Sequence, residues 1–270
     1  MRNVSSSTTP TLHWDRFPNA RSREEHERLQ LMEAAFDRST VPQLDRLGVA
    51  PGWRCLEVGA GAGSIAAWLA ERAGPAHVVA TELNTDFLAP LRQLGVRVER
   101  HDITADPPVG TDFDLIHARL VLEHLQARQD VLARLVTWLR PGGWLLIEEA
   151  SLVPAAAARP VVERVGRAVI DVLASTVGTD VTWARTLPLP LEDAGLVEVD
   201  AAVSSQVLRG GNALAAVFLA TVRATTPALL PSGLVSRSDL DEFADLLGDP
   251  SFVDHTLTLV AAWGRRPAEQ

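Results

Sequence analysis

Cysteine, tyrosine and an excess of basic charge are what this 270-residue chain conspicuously lacks. Its one cysteine, Cys55, excludes an intrachain disulfide and suits a reducing, cytoplasmic setting. Placed inside an apolar strand, that thiol is expected to be buried and structural, because a reactive one needs an accessible, electropositive setting. The seven histidines show no paired ligand spacing, so no metal site is expected. No uninterrupted apolar run reaches the about 18 residues that a membrane helix needs. The Ser/Thr-rich start, Met1 to Thr11, lacks the basic-then-apolar pattern of a signal peptide and is expected to be a mobile tail. Lysine and arginine total 25 against 34 acidic residues, a net charge of −9 that argues against nucleic acid as a partner. Tyrosine is absent; seven tryptophans and seven phenylalanines make up the aromatics. Monomer and homodimer both stay open. Apolar residues make up 47% of the chain, ample for a sizeable core.

The informative segment runs Leu56-Glu57-Val58-Gly59-Ala60-Gly61-Ala62-Gly63-Ser64. An apolar strand ends in glycines that open straight into a helix, and Glu82 closes the next apolar run, Val78-Val79-Ala80. Glycines let a ligand touch the backbone where a Cβ would clash. The helix N-terminus offers N–H groups to polar or anionic atoms, and an acid ending the second strand can accept from both hydroxyls of a ribose. The pattern reads as a nucleoside pocket. A dinucleotide fingerprint wants glycine at the first, third and sixth positions; Gly59 and Gly61 comply, but the sixth position is Ser64.

Further elements follow in order. Val96 to His101 reads as a third strand ending at Asp102-Ile103, and Phe113 to Arg119 as a fourth, leading into Val121-Leu122-Glu123-His124-Leu125. Leu139-Arg140-Pro141-Gly142-Gly143 is expected to be a helix end and turn before a fifth strand that finishes at Glu148-Glu149. The Glu-x-Gly-x-Gly-x-Gly loop, the acids after strands two and three, the VLEHL segment and the LRPGG segment together resemble a class I S-adenosylmethionine (SAM) methyltransferase. The similarity is to the small-molecule type found in ubiquinone and menaquinone biosynthesis and in bacterial secondary metabolism. It is tight over about residues 50–150 and holds only in outline elsewhere.

Alternating strands and helices from 53 to 149 predict an α/β fold, a Rossmann-like parallel sheet with helices on both faces. The resemblance implies seven strands, the seventh antiparallel between the fifth and sixth. Residues 1–21 would be a tail and lid, and 22–270 one domain: a helical lead-in over 22–49, a SAM-binding core over 50–150, and substrate-side helices with the last two strands over 151–270. The lead-in is expected to break near Pro42. Helices are predicted over Val161–Val177, Trp183–Ala194 and Asn212–Thr226, with a shorter one capped by Ser238. Leu196–Val207 and Thr256–Val260 read as the last strands.

The resemblance also assigns roles. Gly59, Ala60, Gly61 and Gly63 would wrap the methionine part of SAM, Glu82 would hold the ribose, and Leu83 would lie against adenine. Asp102 would accept from the adenine amino group with Ile103 beside the ring, while Arg119 and Leu120 would line the methyl end. Trp14 and Phe17 are lid and substrate candidates, and Trp183 a pocket wall. His124 is the candidate base, with His117 a weaker one; Glu148 and Glu149 end the fifth strand at the same edge, where either could face substrate, and a solvated charge is the first expectation for each. The expected activity is methyl transfer to a small apolar or aromatic metabolite, O-methylation first, with C- and N-methylation open and S-adenosylhomocysteine (SAH) as product. Two other readings stay open: a protein that binds SAM without transferring methyl, as a regulator or cyclisation enzyme, and an NAD-dependent oxidoreductase.

Overall fold

A computed structural model describes residues 23–153 and 157–268. Trp14 and Phe17 lie outside the described residues. Seven strands form one sheet: β1 (Cys55–Val58), β2 (Val78–Glu82), β3 (Arg97–Arg100), β4 (Phe113–Arg119), β5 (Leu139–Leu152), β6 (Val197–Arg209) and β7 (Val253–Arg265). Their order is β3-β2-β1-β4-β5-β7-β6. The first five pair in parallel, and β7 runs antiparallel to both β5 and β6, as expected. Strands covered on both faces read as continuous apolar runs rather than alternating ones; β1, with all four residues buried, is the clearest case.

Helices cover both faces. On one, α1 (Arg23–Leu47), α2 (Ser64–Ala73) and α3 (Ala89–Leu94) bury Leu44, Leu69 and Leu91 against Cys55, Leu115 and Leu146. On the other, α4 (Arg128–Trp138) and α6 (Leu189–Asp193) pack Leu132, Leu135 and Leu191 against Leu56, Ile116 and Leu145. A third cluster joins α5 (Pro160–Thr176), α7 (Ala213–Ser232) and α8 (Arg237–Gly248) to Phe36 of α1 and to Leu257 and Leu259 of β7. By length and composition alone α7 could span a membrane. It packs against α1, α5 and α8.

Four expectations need correction. Helix α1 does not break at Pro42: it runs through to Leu47, because Leu44 and Leu47 are buried on the sheet and their packing outweighs the one backbone bond proline removes. The Leu139–Gly143 segment lies within β5 as a bulge. Phe113 pairs with Leu139 and Leu115 with Trp144, and the looped residues are pinned by Gly142 N donating to Arg266 O at 2.9 Å. The helix predicted over Trp183–Ala194 is two pieces, a 3₁₀ turn at Trp183–Thr186 and α6, separated at Pro188, which has no N–H to donate. The cap of α8 is Ser236, not Ser238: Ser236 Oγ accepts from Asp239 N, and the Asp239 carboxylate accepts from Ser236 N. Cys55 is fully buried, as expected, and burial pushes its thiol up to about 12.

Candidate active site

Strands β1, β2 and β4 end at the same edge of the sheet, and their exit loops form one wall of a cavity of ≈ 320 Å³. The β1 loop turns at Gly59 with φ 69°, where a Cβ would stand 2.4 Å from Val121 Cγ2; only glycine allows the β4 exit to come this close. Gly59, Ala60 and Gly61 line the cavity. Gly63 does not. It precedes α2 at φ 105°, and a Cβ there would meet Leu91 and Leu88 at 3.1–3.3 Å, so it sets the packing of α2 rather than the ligand face.

Glu82 reaches back across the loop: its carboxylate accepts from Gly61 N at 3.0 Å and from Leu83 N at 2.7 Å. Burial raises its pKa, and the N–H groups of Gly61, Leu83 and Asn84 partly offset that. Leu83, Asp102 and Ile103 complete this wall. Asp102 serves its own turn as well, accepting from Thr104 N at 2.9 Å. Leu120 sits at φ 56°, unusual for a branched side chain and held by its N–H donating to Glu148 O at 2.8 Å; such strain concentrates at functional sites.

Helix α1 closes the cavity from above. Glu33 accepts from Ser64 N at 2.8 Å, satisfying a first-turn N–H of α2, and Ser64 Oγ donates to Asp37 at 3.1 Å. Arg119, placed by the sequence at the methyl end, directs its guanidinium into this clamp: Asp37 lies at 2.9 Å and Thr40 Oγ1 at 2.8 Å. The His26 ring stacks on Phe87 at 4.5 Å.

Beyond Leu120 the cavity opens into a lobe of aliphatic residues from α5, α7 and α8, among them Val165, Val169, Leu173, Val222 and Phe243, with Thr221 as a polar exception. Trp183 is not on this wall; it is buried in the core against α4 and α6, with the Arg128 guanidinium over its ring. His124 and Glu123 do line the cavity. His124 Nδ1 lies 2.8 Å from Thr179 Oγ1 and Nε2 lies 3.5 Å from Glu123. Burial, together with the charges of Arg28 and Arg128, lowers its pKa to about 3, which makes it a poor proton acceptor near neutrality.

The expectation for Glu148 and Glu149 is overturned. The strand continues past them to Leu152 and both are fully buried. Glu148 Oε2 meets His117 Nε2 at 3.2 Å, and His117 Nδ1 meets Glu57 at 2.7 Å, so His117 is locked within the sheet. Glu149 accepts from Leu122 N at 2.8 Å, beside Glu123. Reading the sequence passed over Glu123 in favour of its histidine neighbour. The available signal was an acid flanked by Val121, Leu122 and Leu125, where a charge has no solvent to face.

Residues 56–145, which carry the glycine loop after β1 and the acids after β2 and β3 within the seven-stranded sheet, match the family model described as a methyltransferase domain. Methyltransferase str2 of Strobilurus tenacellus is 34% identical over 125 residues, which are 45% of this chain and 44% of that protein; the match thus spans less than half of the relative's length. Phosphoethanolamine N-methyltransferase 2 of Haemonchus contortus, solved with phosphomonomethylethanolamine and SAH, superposes with a TM-score of 0.62 at 15% identity, over 96% of this chain and 61% of that one. The [4+2]-cyclase SpnF superposes at 0.55 and 18% identity, over 86% and 81%. These two likenesses show the fold.

Proposed function

We propose that this chain transfers a methyl group from SAM to the hydroxyl of a small, apolar metabolite. SAM supplies an electrophilic methyl on a sulfonium with a good leaving group. The residues present suit it: backbone groups at Gly59–Gly61, an open face at Gly61 where an added Cβ would meet only Leu29 Cδ2 at 3.7 Å, and carboxylates at Glu82 and Asp102 for a diol and an amino group. The observation that carries the reading is continuity: one cavity joins this cradle to the aliphatic lobe through Leu120–Leu125.

The lobe also supports the acceptor class. A phosphorylated substrate needs cations, and among the described residues the two arginines on the cavity, Arg28 and Arg119, are engaged by Glu25 and Asp37. The chain contains no lysine. Much of the rate would come from positioning the acceptor in line with the methyl group.

Calorimetric titration with SAM, SAH and NAD tests the donor half. Binding of both adenosyl ligands without an NAD signal is expected, and Glu82→Ala should weaken SAM by about 1.5–3 kcal/mol, the worth of hydrogen bonds to a charged group. NAD binding alone would overturn the reading. Incubating SAM with apolar alcohols and phenols, then measuring product mass, tests the transfer half; turnover that leaves SAM intact would point to a cyclisation-type role.

A further inference from the structure

Two carboxyl groups are buried together, Glu123 on the cavity wall at 5% exposure and Glu149 behind it at 0%. Glu123 lines the cavity and accepts from Ala150 N at 3.2 Å; its backbone carbonyl accepts from Asp180 N at 2.8 Å, tying it to the segment that carries Val177 and Val181 of the lobe. Among the described residues neither carboxyl forms an ion pair with an arginine. Arg128 is turned to Asp180 at 2.8 Å and Arg28 to Glu25 at 2.6 Å, while His124 is 3.5 Å from Glu123. Glu149 Oε2 is buried with no hydrogen-bond partner. Two like charges cannot both ionise in such a place, so the pair keeps at least one proton and carries a single negative charge only once Glu123 ionises, at about 8.

We propose that Glu123 seats the acceptor's hydroxyl and takes up its proton during methyl transfer, with Glu149 and His124 as positioning residues. This rests on the methyl-transfer reading. The oxygen–carbon bond forms as the carbon–sulfur bond breaks, its electron pair staying on sulfur, and the hydroxyl proton passes to Glu123. The carboxyl pair thereby goes from one negative charge to none as the sulfonium charge disappears, so the closed cavity is left without net charge from the step. Burial, opposed by the Ala150 N–H and by Glu149, sets the Glu123 pKa at about 8, close to a working pH where a base is effective.

The test titrates 2-naphthol, an apolar phenol with intrinsic fluorescence, into the SAH-saturated full chain. In the wild type its affinity should rise as pH passes through about 8. Glu123→Gln should lose about tenfold or more in naphthol affinity and flatten that profile, with SAH affinity and thermal midpoint unchanged. Glu149→Leu keeps the accepting carboxylate but removes its neighbour's proton, and should move the profile to higher pH. Wild-type affinity and profile in Glu123→Gln would overturn the proposal, as would an unmoved profile in Glu149→Leu or refusal of naphthol by the SAH-loaded wild type. Failure of the wild type to bind SAH would instead bring down the methyl-transfer reading itself.

Discussion

Seven residues apart in the chain, His117 and His124 are both buried beside glutamates, yet their surroundings drive them in opposite directions. Burial alone would lower the His117 pKa, but Glu57 and Glu148 on the adjacent strands raise it to about 9, so the ring is charged near neutrality. His124 faces Thr179 on one nitrogen and stands near Arg28 and Arg128, and the backbone hydrogen bond at Leu120 does not make up for its desolvation. The charge beside it falls to the Glu123–Glu149 pair. The first cluster is thus a charged ring that rivets three strands of the sheet and the second a neutral ring beside a proton-holding pair at a cavity. Residue type alone would have made them equivalent; the sign of the nearest charge separates them.

The largest expected effect comes from breaking the rivet. His117→Leu leaves Glu57 and Glu148 buried without their cation, and removing one partner of a buried ion pair costs about 3–5 kcal/mol. Chemical denaturation at neutral pH measures it. A loss under 1 kcal/mol would overturn the idea of a buried ion pair at His117.

The pH dependence should separate the clusters next. His117 has a folded pKa near 9 against 6.5 unfolded, so its stabilisation is complete below 6.5 and is lost as pH climbs through 9. The loss is on the order of 3 kcal/mol, and His117→Leu should remove that alkaline limb. His124 behaves in the reverse sense: with a folded pKa near 3, the unfolded chain takes the proton first, and its contribution is lost as pH falls below 6.5. Stability curves of His117→Leu and His124→Gln against wild type would show this, and limbs that coincide would erase the distinction.

The smallest effect is His124→Gln at neutral pH, where a neutral ring and its Thr179 bond are exchanged for an amide, at about 1 kcal/mol. A cost rivalling that of His117→Leu would show that His124 carries charge after all.

The sheet could be read from the sequence because its signals are local: glycines after an apolar run, acids closing the next two, a long apolar strand near the end. The corrected features depend on neighbours distant in the chain. Pro42 stays helical because the sheet lies beneath Leu44 and Leu47. Gly63 meets α3 rather than the cavity, and Trp183 meets α4 and α6. Glu148 and Glu149 look like a hydrophilic strand end until β7 pairs across them, Ala261 against Glu148 and Val260 against Glu149. Glu123 needed the same information: a charge in an apolar run has meaning only once its buried partner is known.

Helix α1 lies wholly outside the segment matched by the family model, yet it supplies Leu29 over the glycine loop, Glu33 at the head of α2 and Phe36 to the lobe. It is tied as far as β6, where Gln206 Nε2 donates to Ser39 Oγ at 2.7 Å. The recognisable segment is therefore not a self-sufficient module. Cut from its leading helix, it would expose an uncapped α2 and a half-walled trough, so any attempt to transplant or minimise this fold has to include the helix that starts at Arg23.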